Sequence, residues 1–276
     1  MSALLVKSLQ RLNRVSLNLR CVLRKHLVYL KSVFSAKPLL PKALPPDVSL
    51  TAHEVFLLVQ DPWYHDFTVL GYPTPQLPGI FRSNQQAKQA PLFKLIDRAL
   101  DLCRAQHTTI KGVELFCADG FYSNYAVSQG AAEMYGVDTD SDNLSKACVI
   151  SKALGHASQV RFDKCDVFKC KGVFAFGICA GGLYHIARPQ DLLTQLARQV
   201  TTALVIQTVY SVTMTDAQYF EAPAPGWTWG CRFSYAYLLH MVQEAGWNVI
   251  EASVNELGGN TRVEDRGSAY LLCTHA

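Results

Sequence analysis

The residues with the most chemical content lie in three short stretches, each closing an apolar run: Glu114-Leu115-Phe116-Cys117-Ala118-Asp119-Gly120, Gly136-Val137-Asp138 and Cys165-Asp166-Val167. A carboxylate ending a strand about twenty residues beyond a glycine turn can accept hydrogen bonds from both hydroxyls of a ribose; this is the role expected of Asp138. Asp166, one strand further on, can accept from an adenine amino group, with Val167 beside it. Gly120, having no side chain, lets the backbone of the first turn approach a ligand closely. Glu114 lies within an apolar strand, where an unpaired charge is costly, so its other reading is a hydrogen-bonded organiser of the loop. Asp140 reads as an N-cap for the helix that follows.

These acids narrow the ligand. A glycine turn and one acid also suit a dinucleotide, but G-x-G-x-x-G is missing. Asp119 would stand beside a bound pyrophosphate, where negative charge repels phosphate yet tolerates a sulfonium and an ammonium. S-adenosylmethionine (SAM) is the better fit. A second group follows the fourth apolar run: Tyr184 and His185. An imidazole with an ordinary pKa near ~6.5 suits deprotonation of a hydroxyl or phenol, and a hydrogen-bonded framework histidine is the alternative. Trp227 and Trp229, in a Pro/Gly-rich insert, read either as a cap on an acceptor site or as ordinary loop aromatics.

Alternating elements must position these residues. Apolar runs at Gly112–Cys117, Ala132–Val137, Gln159–Phe162, Val173–Cys179 and Ala203–Thr208 read as strands. Helical patterns at Phe93–Cys103, Tyr122–Gln129, Asn143–Leu154 and Pro189–Gln199 precede or separate them. Strands alternating with helices of about ten residues imply βαβ units and a parallel sheet. The end differs: a helix at Ser234–Ala245, then strands Trp247–Val254 and Ser268–Thr274 with only a short Gly-containing loop between. That loop is too short for a crossover helix, so the last two strands should pair antiparallel. Prolines at 62, 73, 75, 78 and 91 argue against a long uninterrupted element before the main domain.

The motifs resemble those of a known family. V-E-L-F-C-A-D-G-F-Y-S-N-Y-A is similar to the first motif of class I SAM-dependent methyltransferases, G-V-D-T-D to their second and F-D-K-C-D-V to their third. A-G-G-L-Y-H-I-A-R-P resembles the G-x-L-Y-H-x-x-x-P stretch of the tRNA (mo5U34)-methyltransferase-like branch, the wobble-uridine carboxymethyltransferases and their relatives. The segments 63–81 and 229–246 look like that branch too. The resemblance covers about residues 60–276 and implies a Rossmann-like α/β sheet, mostly parallel with an antiparallel last strand. It places Glu114, Cys117, Ala118 and Gly120 around the methionine part of SAM, Asp138 at the ribose, and Asp166 with Val167 at the adenine. Ala180, Gly181 and Tyr184 would line the methyl-transfer side. Phe116 and Ala118 stand where the family's D-x-G-x-G-x-G loop has its first two glycines, which implies a narrowed pocket. The carboxylated-SAM enzymes of the branch carry W-R-K-G-P-F; here Trp63-Tyr64-His65-Asp66-Phe67 lacks the lysine, which favours ordinary methyl transfer.

Composition sets the outer limits. Hydrophobic residues make up 49% and charged residues 17% of 276, enough for a sizeable core. No apolar run approaches the ~20 residues of a transmembrane helix, and a cytoplasmic protein, with membrane association through the arm as an option, is expected. Nine cysteines without C-x-x-C pairs read as reduced, largely buried thiols, and no metal site is expected. Residues 1–46 hold nine Lys and Arg and no acid, which leaves 17 basic and 22 acidic residues, a net −5, in the remainder. The first stretch reads as a basic amphipathic helical arm and Pro-rich linker, 47–90 as an accessory segment and 91–276 as the SAM-binding domain. The arm (3–35) suits packing on the domain or a partner, an anionic membrane surface, nucleic acid or a targeting presequence. Three functions therefore stand: a methyltransferase with a small-molecule acceptor, a tRNA wobble-uridine-type methyltransferase, and a non-catalytic SAM-fold scaffold anchored by the arm. Net negative charge on the main domain weighs against the second. The oligomeric state is open.

Overall fold

The computed structural model describes residues 40, 42–106 and 109–276; the expected arm helix over 3–35 lies outside them. Seven strands form one sheet in the order β3-β2-β1-β4-β5-β9-β8: β1 Lys111–Leu115, β2 Glu133–Asp138, β3 Val160–Lys164, β4 Phe174–Ala180, β5 Val200–Tyr210, β8 Trp247–Glu256 and β9 Gly267–His275. The first five pair in parallel. β9 runs antiparallel to both neighbours, β5 and β8. This is the expected Rossmann-like sheet, mostly parallel, with its single reversed strand one place in from the edge.

Among the described residues six helices cover the sheet: α1 Ala52–Val59, α2 Ile80–Arg104, α3 Phe121–Ser128, α4 Ser141–Leu154, α5 Pro189–Gln199 and α6 Tyr235–Glu244. Strand alternation divides the core in two. Phe176, Ile178, Ala203, Val205, Tyr270 and Leu272 face the layer of α1 to α4. Cys179, Leu204, Ile206, Leu271 and Cys273 face α5 and α6. A sheet buried on both faces needs apolar residues at successive positions, which is why these strands read as runs. The crossovers leave opposite faces between β1 and β4, and that switch point is where an open α/β sheet receives a ligand.

The expectation of no long element before the main domain is overturned. α2 is 25 residues long and contains Pro91, running straight across residue 90. A proline inside a helix removes the hydrogen bond to the carbonyl four residues earlier. Here that carbonyl, Ala87 O, accepts from Asn255 Nδ2 of β8 at 2.8 Å, and Tyr270 Oη of β9 stands 3.5 Å away. Tertiary donors replace the lost amide, so the helix survives and is tied to the antiparallel end of the sheet.

The segment before α2 is docked rather than loose. Thr51 and Glu54 form a capping box on α1, and Phe56, Leu57 and Leu58 enter the same core as α2 and α3. Trp63 is fully buried and donates its indole N–H to Leu57 O at 2.9 Å. Lys146 of α4 reaches across to Asp61 at 2.9 Å and Pro62 O at 2.6 Å. A short hairpin, β6 Phe220–Glu221 with β7 Arg232–Phe233, frames the tryptophan-bearing insert after β5.

Candidate active site

The carboxyl ends of β1, β2 and β4 open into a cavity of about 650 Å³, within the usual range for a small-molecule site. Its walls include Glu114, Cys117, Ala118, Asp138, Asp166, Val167, Ala180, Gly181 and His185. Tyr64 and His65 of the Trp63–Phe67 stretch and Tyr122 of the first motif join them, as do Lys88, Asn143 and Gln207, which carry no signal in the sequence. The pocket narrowing expected from Phe116 and Ala118 therefore leaves ample room. Both residues adopt the left-handed conformation that favours glycine, at φ 59° and 45°. The Phe116 ring lies over Gly182, where any Cβ would come within 1.8 Å of it; the side chain turns onto the neighbouring loop and packs on the α5/α6 core.

Hydrogen bonds hold this strained turn. Asp138 Oδ2 accepts from Ala118 N at 2.9 Å and its Oδ1 from Asp140 N at 3.0 Å. Cys117 N donates to Val137 O at 3.1 Å. Glu114 is buried and accepts from Ser123 N at 2.7 Å and Ser123 Oγ at 2.5 Å, joining β1 to α3. Burial pushes its carboxyl up to about 8, opposed by the Ser123 hydrogen bonds and reinforced by Asp119 and Asp138. Asp140 caps α4 through the amides of Asp142 and Asn143, as its spacing implies. Asp166, exposed at the rim, caps the 3₁₀ turn after β3.

Two residues act otherwise than expected. Gly120 is not part of the cavity wall: a Cβ there would stand 2.5 Å from the Phe162 ring and 3.1 Å from Ala147, so its lack of a side chain serves the packing of α3 against β3 and α4. Asp119 does not face the cavity either. It is fully buried, with Oδ2 accepting from His65 N at 2.8 Å and Oδ1 paired with His65 Nδ1 at 2.6 Å. The accessory segment covers it, and its His65 ring stacks on Phe121 at 4.7 Å.

A second cavity of about 370 Å³ adjoins the first, sharing Tyr64, His65, Lys88, Tyr122 and His185 with it. Tyr184, Trp227, Trp229, Phe81 and Arg232 line its far side. The insert is fixed there by Cys231 N donating to Tyr184 O at 3.0 Å and by Arg232, whose guanidinium pairs with Asp265 at 2.7 and 2.8 Å. His185 stacks against Trp229 with ring centres 5.2 Å apart. Burial, followed by the charges of Lys88 and Arg232, lowers its pKa to about 4, so the ring is neutral near pH 7 and a weak base. Burial raises the Tyr184 phenol, which stays protonated.

No family model matches the sequence, and no curated protein matches it. Solved structures do match the fold. The magnesium protoporphyrin IX methyltransferase of Synechocystis PCC 6803, with bound S-adenosylhomocysteine (SAH), is 14% identical; the match covers 76% of this chain and 93% of that one at a TM-score of 0.56. A Listeria monocytogenes protein assigned to the SAM-dependent methyltransferases is 11% identical, over 68% and 99% of the two chains, at 0.52. At such identities the likeness establishes the fold. Among the described residues no group of three or more His, Cys, Asp or Glu is placed to hold a metal ion, and no helix is long and apolar enough to cross a membrane. Six of the eight described cysteines are buried, and all eight are free thiols.

Proposed function

We propose that this protein is a SAM-dependent methyltransferase acting on a small-molecule acceptor. The observation that carries the reading is the cavity at the β1/β4 switch point, where Asp138 and Asp166 stand at successive strand ends and Glu114 lies between them and the core. Gln207 Oε1 is buried in its wall without a hydrogen-bond partner, an acceptor that a ligand N–H or O–H would satisfy. When bound, SAM supplies an electrophilic methyl group on a sulfonium.

The chain's own residues then have defined tasks. Asp138 and Asp166 would hold the ribose and the adenine; Cys117 and Ala118 would flank the methionine part, and Glu114, kept largely protonated near pH 7 by burial, would brace that turn through Ser123. Val167, Ala180 and Gly181 complete the wall. Tyr184 and His185 face the acceptor, positioning it rather than removing its proton, because an imidazole with a pKa near 4 is far from the optimum for a base at neutral pH. Proximity and orientation suffice for an activated methyl donor. The aromatic second cavity, of about 370 Å³, favours a small acceptor; the tRNA reading rests on the branch resemblance alone.

Calorimetry with SAH tests this. Wild type should bind in the micromolar range, and Asp138→Ala should weaken binding about 10- to 100-fold, the scale of a lost charge-assisted hydrogen bond. A folded wild type that binds neither SAM nor SAH would leave the scaffold reading in its place.

A further inference from the structure

Lys88 is the group in this site that no role yet explains. It lies in the middle of α2, is 9% exposed, and lines both cavities. Among the described residues it makes no hydrogen bond and no ion pair; its pKa is brought down to about 8 by burial alone, and its charge is felt by His185. A buried ammonium without a counter-ion is costly, and none of the described residues pairs with it. The other cation of the second cavity, Arg232, is already neutralised by Asp265. The Lys88 ammonium is also well placed. A carbon added at Gly181, just after β4, would stand 3.8 Å from both Lys88 Nζ and Gln207 Oε1. The cation thus sits at the seam where the two cavities meet. Away from that seam the second cavity presents the faces and edges of Tyr184, Trp227, Trp229 and Phe81, surfaces that suit a flat ring.

We infer that the acceptor is a planar aromatic molecule whose reacting end is an anionic oxygen, a carboxylate or an ionised phenol, held by Lys88. This deepens the methyltransferase reading and rests on it for the word acceptor, while the anion site itself rests on Lys88 and the second cavity. An oxygen already ionised needs no base, which agrees with the weak basicity of His185.

The test is calorimetric titration of the full chain, with and without saturating SAH, using naphthoate against naphthamide and nitrophenolate against nitroanisole. In wild type at least one anion should bind about tenfold or more tightly than its neutral counterpart, and the pair that does so tells carboxylate from phenolate. Lys88→Met, an apolar replacement suited to a buried helical position, should abolish that preference, and Lys88→Arg should retain part of it. SAH affinity should change less than about threefold in both variants, with circular dichroism reporting that they are folded. The inference is overturned if wild type prefers neither anion, or if Lys88→Met keeps the preference. It is equally overturned if Lys88→Met loses SAH binding, since Lys88 would then serve the carboxylate of the donor. Failure of wild type to bind SAH would count against the methyltransferase reading and leave the anion preference to be judged by itself.

Discussion

The two halves of the site are built on opposite plans. The end proposed for the nucleoside is local: Glu114 lies in β1, Phe116 to Ala118 follow it, Asp138 ends β2 and Asp166 follows β3, with Ala118 N donating to Asp138 and Ser123 N to Glu114. The acceptor end is a composite of the accessory segment, α2, the turn after β4, the insert before β7 and the loop between β8 and β9. The first is lined by acids and held by bonds between neighbouring strand ends; the second is aromatic, shares the unpaired Lys88 with the first, and is fixed by contacts between distant segments. A local site survives the loss of any one remote contact, whereas a composite site depends on each.

Substitutions can break this contrast or sharpen it. The largest effect should come from Arg232→Ala, which leaves Asp265 as a buried charge without its bidentate partner. Removing one member of a buried pair costs about 3–5 kcal/mol. Denaturant unfolding should show that loss and tryptophan emission should report displacement of Trp227 and Trp229, while any surviving folded protein keeps its SAH affinity. Equal loss of SAH binding would show the two ends to be one cooperative unit.

Asn255→Ala comes next. It strips Ala87 O of its 2.8 Å donor under Pro91, and a half-buried carbonyl left short of partners costs about 1 kcal/mol, the low end of the range for an unsatisfied polar group. The same change combined with Pro91→Ala should recover much of that stability, because an alanine amide can donate to Ala87 O. No recovery would mean that the side-chain donor is not what lets the helix keep its proline.

At the nucleoside end the effects are smaller and depend on pH. Glu114 has a folded-state pKa raised from 4.5 to about 8. The folded protein therefore binds more protons than the unfolded chain across that window, and the ligand-free wild type loses stability as pH rises through it. Glu114→Gln removes the titration, so its Tm relative to wild type should climb between pH 5 and about 8; a pH-independent gap would refute the buried-acid account. The smallest change is expected for Ala118→Gly. Relief of the left-handed strain at φ 45° is offset by the entropy glycine loses on folding, leaving a gain of about 1 kcal/mol or less. A destabilised Ala118→Gly would show that the turn is not strained there.

Much of the nucleoside end is legible in the sequence, because a βαβ sheet places strand-end residues at one rim whatever else surrounds them. Asp138, Asp140 and the antiparallel β8–β9 pair illustrate this: each follows from local pattern and loop length. Gly120 and Asp119 show the limit. Both sit in a recognisable motif, yet their neighbours Phe162 and His65 come from 42 and 54 positions away, and those neighbours decide what each residue does. Lys88 is illegible for a plainer reason. A lysine in a helix is normally solvated, and only the placement of α2 over the seam between the two cavities buries it.

The sequence by itself determined the order of strands and helices, the reversed strand and the acids at the rim of the larger cavity, since these depend on periodicity, turn chemistry and loop length, all local along the chain. Only the tertiary structure decided that Pro91 sits inside a continuous helix, that His65 pairs with Asp119, and that an aromatic cavity with an unpaired lysine adjoins the larger cavity. Each of these rests on contacts between segments far apart in sequence, where burial and partner supply set the energy and no local pattern records it.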